Sequence, residues 1–302
     1  MLYFIVKLLS RLACSLSSAT AKRWGGYLGC IAWKLTPQKR KKMAIENIRL
    51  SLAVDQTEAE RVARASAVRF GPMFMEVLRV PLLLKQPLDS WISFTGAEHL
   101  EQALALGRGV VLATAHSGNW ELLGAALAKR GFPLVAVVQK QTNDAMDRFI
   151  NEYRRQSGMH VTYKSGVKEM IQLLGEGQII GLLVDQDAGA EGVRTQFFER
   201  EASSPPGAAH LARMRQVPIV PAFITQEADG RHHAWLYPPV FVEKTGNKKE
   251  EIQQTTQVLT QCVEQHIRQY PEEWFWLHNR WKHGSDQGTK IENIVEQENR
   301  RI

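Results

Sequence analysis

With 302 residues, 44% hydrophobic and 23% charged, the chain can bury a full-sized core, and disordered, collagen-like and fibrous classes are excluded. Its three cysteines (Cys14, Cys30, Cys262) are odd in number and far apart, which argues against a disulfide framework and for a reducing compartment. The net charge of +7 is an N-terminal feature: residues 1–50 hold ten Lys or Arg and one acid, a local +9 that leaves −2 for the other 252 residues.

The opening "MLYFIVKLLSRLACSLSSATAKRW" is apolar but interrupted by Lys7 and Arg11, so no run reaches the ~18 apolar residues of a membrane span. At 100° per residue, Lys7, Ser10, Arg11, Cys14, Ser18 and Lys22 form one polar stripe, and Leu2, Ile5, Leu8, Leu9, Leu12 and Leu16 lie largely opposite. This predicts an amphipathic helix in the membrane interface with its charges toward phospholipid headgroups. "GGYLGCIAWKL" and the basic "PQKRKK" extend the segment, whose polybasic end would attract anionic lipid. We place this membrane-attachment segment at residues 1–42 and a single α/β domain at 43–302. No clean small-x-small site supports a cleaved signal peptide.

Residues 43–84 read as helices, with Thr57 and Glu60 forming a capping-box pattern. From about residue 92, strands and helices alternate. "VVLATA", "PLVAVV", "HVTYK" and "QIIGLLVD" read as strands separated by helices "WELLGAALAKRG", "NDAMDRFINEYRRQSG" and "GVKEMIQLLGEG". A loop through "QDAGAEGVRTQFFEREASSPPG" precedes helix "AAHLARMRQ", strands "VPIVPAFI" and "HHAWLYPPVFV", a helix over 248–269, and the aromatic "YPEEWFWLHNRWK". Strand–helix alternation predicts a three-layer α/β domain. There is no internal repeat.

The segment "ATAHSGNWELLGAAL" puts His116 at the carboxyl end of an apolar strand, where α/β sheets place ligands. Gly118 permits a sharp turn, Asn119 suits an N-cap, and Glu121 follows in the first turn of the helix. A carboxylate on one imidazole nitrogen fixes the tautomer and makes the other nitrogen the better base, so Glu121 is expected to hold His116. Free amides at the helix start would stabilise an oxyanion. Base, orienter and oxyanion site together suit acyl transfer to a hydroxyl.

Four blocks then carry a resemblance: "AHSGNWE"; "NDAMDRFINEYRRQSG", with Arg154; "GLLVDQDAG" followed by "FFEREASSPPGAAHLA"; and "YPEEWFWLHNRWK". In this order they resemble the bacterial late acyltransferases of lipid A biosynthesis, the lauroyl/myristoyl-transferring group of the lysophospholipid acyltransferase superfamily. Gln139 and Lys140 stand where members often carry Arg-Pro, and Ser203 or Ser204 where a threonine is common.

The resemblance implies an αβα sandwich of the glycerolipid acyltransferase type at the cytoplasmic face of a bacterial inner membrane. His116 would deprotonate an acceptor hydroxyl, and the alkoxide would attack an acyl thioester on acyl carrier protein or coenzyme A. Arg154 and Lys140 would meet acceptor phosphates, Asp185 and Gln186 would support the site or bind sugar, and Asn119 joins these as a substrate-binding candidate. No metal, other cofactor or nucleic acid is implied. The acceptor would be a lipid A precursor, with another glycolipid, an aminolipid or a lysophospholipid as alternatives.

A different class is a metal-dependent glycosyltransferase, for which Asp185 and Asp187 would form an Asp-x-Asp motif after a strand. No Gly-x-Ser-x-Gly elbow supports a serine hydrolase, and the glycines of "GEGQIIG" precede a strand where a dinucleotide loop would follow one.

Overall fold

The computed structural model describes residues 1–284; the last part of the 43–302 domain lies outside the described residues. Six helices come first: α1 (Leu2–Ser15), α2 (Ser18–Leu35), α3 (Gln38–Leu52), α4 (Gln56–Val68), α5 (Phe70–Leu78) and the short α6 (Val80–Leu83). The boundary drawn at residue 42 falls inside α3, so the polybasic run opens a helix of the domain.

Two local readings of this region differ from the structure. The N-cap of α4 is Asp55, which accepts the N–H of Glu58 at 2.8 Å, so Thr57 lies within the helix and not at its cap. The helical segment "TEAERVARASAVRFGPMFMEVLRV" is divided near Arg69 into α4 and α5, because Pro72 has no N–H to offer the Val68 carbonyl. That carbonyl is met by α2: a Cβ on Gly29 would lie 2.0 Å from it, and one on Gly25 would lie 2.6 Å from Pro72 Cα. Glycines thus let α2 press its backbone onto α4 and α5.

The alternating region comprises β1 (Ile92–Thr95), α7 (Ala97–Leu104), β2 (Val110–Thr114), α8 (Trp120–Lys129), β3 (Leu134–Val138), α9 (Asp144–Gln156), β4 (His160–Tyr163), α10 (Val167–Gly175) and β5 (Ile179–Leu183). After these come β6 (Val193–Phe197), β7 (Arg200–Ser204), α11 (Gly207–Arg215), β8 (Ile219–Gln226), β9 (His232–Leu236) and α12 (Lys248–Gln269). Seven strands form one sheet in the order β1-β9-β8-β2-β5-β3-β4, parallel except for the β8–β9 pair.

Strand β2 is buried on both sides, and its alternation divides two cores. Val111, Ala113 and Ala115 pack with α3, α4, α11 and α12; Val110 and Leu112 pack with α5, α7, α8 and α9. Helices therefore cover both faces of the sheet, the three-layer α/β arrangement the alternation predicts.

The segment read as a loop after β5 contains the β6–β7 hairpin. Its turn residues Phe198 and Glu199 have φ of 51° and 59°, a region usually given to Gly or Asn, so the sequence lacked the ordinary hairpin signal. Tertiary contacts hold the turn: Phe198 is buried against Trp276 and Trp281, and its N–H donates to Glu264.

The one amphipathic helix read through Lys22 is broken between α1 and α2, where Ser17 caps α2, and part of its polar stripe turns toward the protein. Lys7 reaches inward to Glu152 at 2.9 Å, and Ser10 is buried with its hydroxyl on Leu78 O. Phe4, Ile5, Leu8, Leu9 and Leu12 face outward and are exposed. On α2, Trp24, Tyr27, Leu28, Ile31 and Leu35 form a second exposed apolar stripe. Among the described residues, no helix is long and apolar enough to cross a membrane.

Candidate active site

Strands β2 and β5 are parallel neighbours in register, Thr114 opposite Leu183. Two residues beyond each, at the carboxyl edge of the sheet, stand His116 and Asp185. The ring Nδ1–H of His116 donates to Asp185 Oδ1 at 2.9 Å, and its backbone N–H donates to Oδ2 at 2.9 Å. Trp274 Nε1–H also donates to Oδ2, at 2.8 Å. An ionised carboxylate only accepts, so Nδ1 carries the proton and Nε2 is left with its lone pair. The side-chain amide of Gln186 lies 3.4 Å from Nε2, at the outer limit of a hydrogen bond.

The electrostatics of the pair agree. Burial pushes the Asp185 carboxyl up, but the His116 charge and the hydrogen bonds from His116 and Trp274 outweigh it and hold its pKa down at about 2. Burial likewise opposes charge on His116, yet the Asp185 carboxylate outweighs it and raises the imidazole pKa above 6.5. Lys164 acts in the opposite direction on the ring, and Glu121 adds a small raising effect.

The carboxylate on the ring nitrogen is therefore Asp185, where the spacing reading put Glu121. Glu121 instead accepts two hydrogen bonds from Arg154, at 2.9 Å and 2.5 Å, and Arg154 also donates to Asn151 at 2.8 Å. The physical reason is partner strength. A guanidinium offers two parallel donors and a full charge, which a neutral imidazole cannot match.

Glu121 and Arg154 line one wall of a narrow cleft of about 70 Å³, apolar elsewhere except at Thr114 and Trp120, between α8 and strands β2, β3 and β5. Leu123, Leu134, Ala136 and Met159 contribute to it, and Gly124 leaves it open: a Cβ there would lie 2.8 Å from Met159 Sδ.

The turn that carries His116 is tightly determined. Gly118 has φ +59°, and a Cβ there would lie 1.9 Å from Ile224 O. Its N–H donates to Glu273 O, its carbonyl accepts from Arg69, and Phe275 N–H donates to His116 O. The chain at 273–275 thus lies against the histidine turn like a short antiparallel strand, with Ser117 opposite Trp274. The ring of His116 meets Trp120 edge-on, with centroids 4.9 Å apart, and Trp120 in turn meets Phe70 of α5.

Asn119 caps α8 as expected, accepting from Leu122 N–H at 3.3 Å, and donates to Glu76 at 2.8 Å. It is 2% exposed with both amide functions committed, so its side chain is not available to a substrate, as the substrate-binding expectation required. Lys140 stands on the exposed connection from β3 to α9, 3.4 Å from Asp144.

The two carboxylates read as an Asp-x-Asp motif are each committed to other partners, Asp185 to His116 and Trp274. Asp187 accepts from the ring of His283 at 2.6 Å, and its backbone N–H donates to His278 at 2.9 Å. Among the described residues, no group of three or more His, Cys, Asp or Glu could hold a metal ion.

Sequence reasoning gave the residues of the closing segment no role in the site. Trp274 braces Asp185, His278 and His283 brace Asp187, and buried Arg280 donates to Ser203 O at 2.5 Å. The density of aromatic and basic residues in "YPEEWFWLHNRWK" was the available signal, but only contacts across the chain give it this role.

Residues 2–283 match the family described as Bacterial lipid A biosynthesis acyltransferase. The chain is 27% identical over 226 residues to a phosphatidylinositol mannoside acyltransferase of Mycolicibacterium smegmatis, covering 72% of this chain and 71% of that protein. It is 24% identical over 261 residues to the lipid A biosynthesis lauroyltransferase of Escherichia coli, covering 84% of each. A solved 1-acyl-sn-glycerophosphate acyltransferase from Thermotoga maritima aligns over 75% of this chain and 94% of its own, with 14% identity and a TM-score of 0.37. A family match over nearly the whole chain decides the assignment: this protein belongs to the bacterial lipid A biosynthesis acyltransferases.

Proposed function

We propose that the protein is a membrane-attached O-acyltransferase that moves a fatty acyl chain from a thioester to a hydroxyl of a lipid A precursor, with His116 as the general base. The observation that carries this reading is the His116–Asp185 pair, which leaves Nε2 free of a proton at the carboxyl edge of a parallel sheet. Nε2 takes the proton of the acceptor hydroxyl as its oxygen attacks the thioester carbonyl. The tetrahedral intermediate collapses by breaking the C–S bond, and the departing thiolate takes the proton back from His116. An ester and a free thiol result, and the base is regenerated.

Backbone N–H groups at the start of α8 have no partner within the helix and supply donors for the oxyanion. The Glu121–Arg154 pair keeps an ion pair at the cleft wall beside the reacting atoms, and Gln186 contacts the acceptor. Lys140, with the nearby cation Lys164, attracts acceptor phosphates. Acyl carrier protein is the donor we favour, with coenzyme A as the other thioester. The outward apolar stripes of α1 and α2 support attachment to the cytoplasmic face of the inner membrane by these two helices, with the chain from α3 onward as one catalytic domain.

A second acceptor class, another phosphorylated glycolipid, is favoured by the similarity to the mycobacterial phosphatidylinositol mannoside enzyme. One assay tests both. Purified protein in detergent receives acyl carrier protein or coenzyme A thioesters of mixed chain length, with lipid A precursors and phosphatidylinositol mannosides as acceptors. The expected result is a mass gain of one acyl group on one acceptor, absent with His116→Ala. Transfer by well-folded His116→Ala at the wild-type rate would remove the base from the mechanism.

A further inference from the structure

Away from the catalytic cleft, a slot of about 340 Å³ runs between α1, the α6 region and α9. Lys7, Ser10, Arg11 and Cys14, spaced to share one side of α1, form one wall. Leu82 and Lys85 face them, and Tyr153 and Gln156 of α9 complete the slot. Three of its residues are cations and none is a carboxylate. Lys7 is paired with Glu152 just outside, whereas the side chains of Arg11 and Lys85 are exposed and have no hydrogen-bond or ion-pair partner among the described residues.

The position of the slot says which anion it suits. Arg11 lies one helical step from Leu8 and Leu12, at the rim of the outward apolar arc of α1. When that arc enters the acyl boundary of a bilayer, the rim stands at headgroup depth, where Arg and Lys carry their charges to phosphate. We propose that this slot binds the phosphate of an anionic membrane phospholipid, with Arg11 and Lys85 as its charged contacts. The inference rests on the membrane-attachment reading above. It also gives the polar side of α1 a ligand of its own, next to Tyr153 of α9, whose following residue, Arg154, holds Glu121.

Cys14 makes occupancy measurable without a membrane. The full chain in mild non-ionic detergent is alkylated with a maleimide, and labelling of Cys14, Cys30 and Cys262 is followed by peptide mass spectrometry. Dihexanoyl phosphatidylglycerol, a water-soluble lipid, should slow Cys14 severalfold and leave Cys30 and Cys262 unchanged. Arg11→Ala/Lys85→Ala, with an unchanged circular dichroism spectrum, should abolish that protection. At roughly 1 kcal/mol per cation the pair should also lower partitioning onto phosphatidylglycerol vesicles about 30-fold. Cys14 labelling unaffected by the lipid, or protection that persists in the double variant, would overturn the site. Equal protection by inorganic phosphate would overturn the lipid as its source. A chain that shows protected Cys14 but floats with no vesicle would refute membrane attachment while leaving the anion slot standing.

Discussion

Asp185 holds His116 at two points, accepting its backbone N–H on one oxygen and its ring Nδ1–H on the other, both at 2.9 Å. The imidazole therefore cannot change tautomer or rotate without breaking a bond to a buried charge. Asp185→Asn keeps the shape but loses the charge and leaves the tautomer unfixed. Transfer should fall about 10²-fold or more, and the variant should remain folded. Rates within threefold of wild type, in a folded preparation, would show that another group orients the base.

The same pair sets a pH dependence. His116 acts as a base only when neutral, and Asp185 raises its pKa above 6.5, so activity should rise with pH through that raised value. Stability runs the other way. A folded-state pKa above the unfolded one contributes stability that is complete below pH 6.5 and is lost as pH rises through the folded value. The Tm contribution of this pair should thus shrink over the interval in which activity appears. In Asp185→Asn the kinetic midpoint should move to lower pH. A midpoint that stays in place would detach the carboxylate from the titration.

Glu121 and Arg154 form one ion pair, with side chains 18% and 17% exposed. Their effects should accordingly be non-additive. Glu121→Gln, Arg154→Gln and the double variant, assayed for transfer, should give a coupling of about 1–3 kcal/mol. Additive losses would mean that each residue meets the substrate alone. Glu121→Gln should leave the pH midpoint nearly unmoved, which separates its role from that of Asp185.

Gly124 faces Met159 across the apolar cleft. Leucine at that position would fill the space and force Met159 aside. In a competition of thioesters, Gly124→Leu should shift transfer toward shorter chains. An unchanged product distribution at reduced rate would place the acyl chain elsewhere.

Leu8 and Leu12 are 57% and 55% exposed on the outer face of α1. Glutamate at both should leave the fold and detergent-phase activity intact, since neither side chain packs inward. Vesicle flotation should drop at least tenfold. Full flotation would exclude this face from the membrane contact. Deleting residues 1–35 is a harsher test, because it also uncovers the surfaces of α5 and α9 against which the two helices pack.

Local sequence was enough for the period of the strands and helices, and hence for the layered α/β class. The buried strand ending at His116, the cap at Asn119 and the helix carrying Glu121 follow from neighbours a few residues apart, where backbone geometry and capping act. The family resemblance likewise rested on short contiguous blocks. The partner of His116 was a different kind of question. Asp185 stands 69 positions away, and it reaches the ring because β2 and β5 are adjacent and in register, a pairing that no local pattern encodes. A guanidinium from α9 then claims Glu121, the nearer carboxylate in sequence. The turn at Phe198–Glu199 was illegible for the same reason: its φ values are imposed by Trp276, Trp281 and Glu264 from the far end of the chain. The amphipathic period of α1 was plain in the sequence, but which face meets the protein was not. Periodicity gives two faces, and only the carboxylate of Glu152 and the carbonyl of Leu78, waiting on other helices, decide which one turns inward.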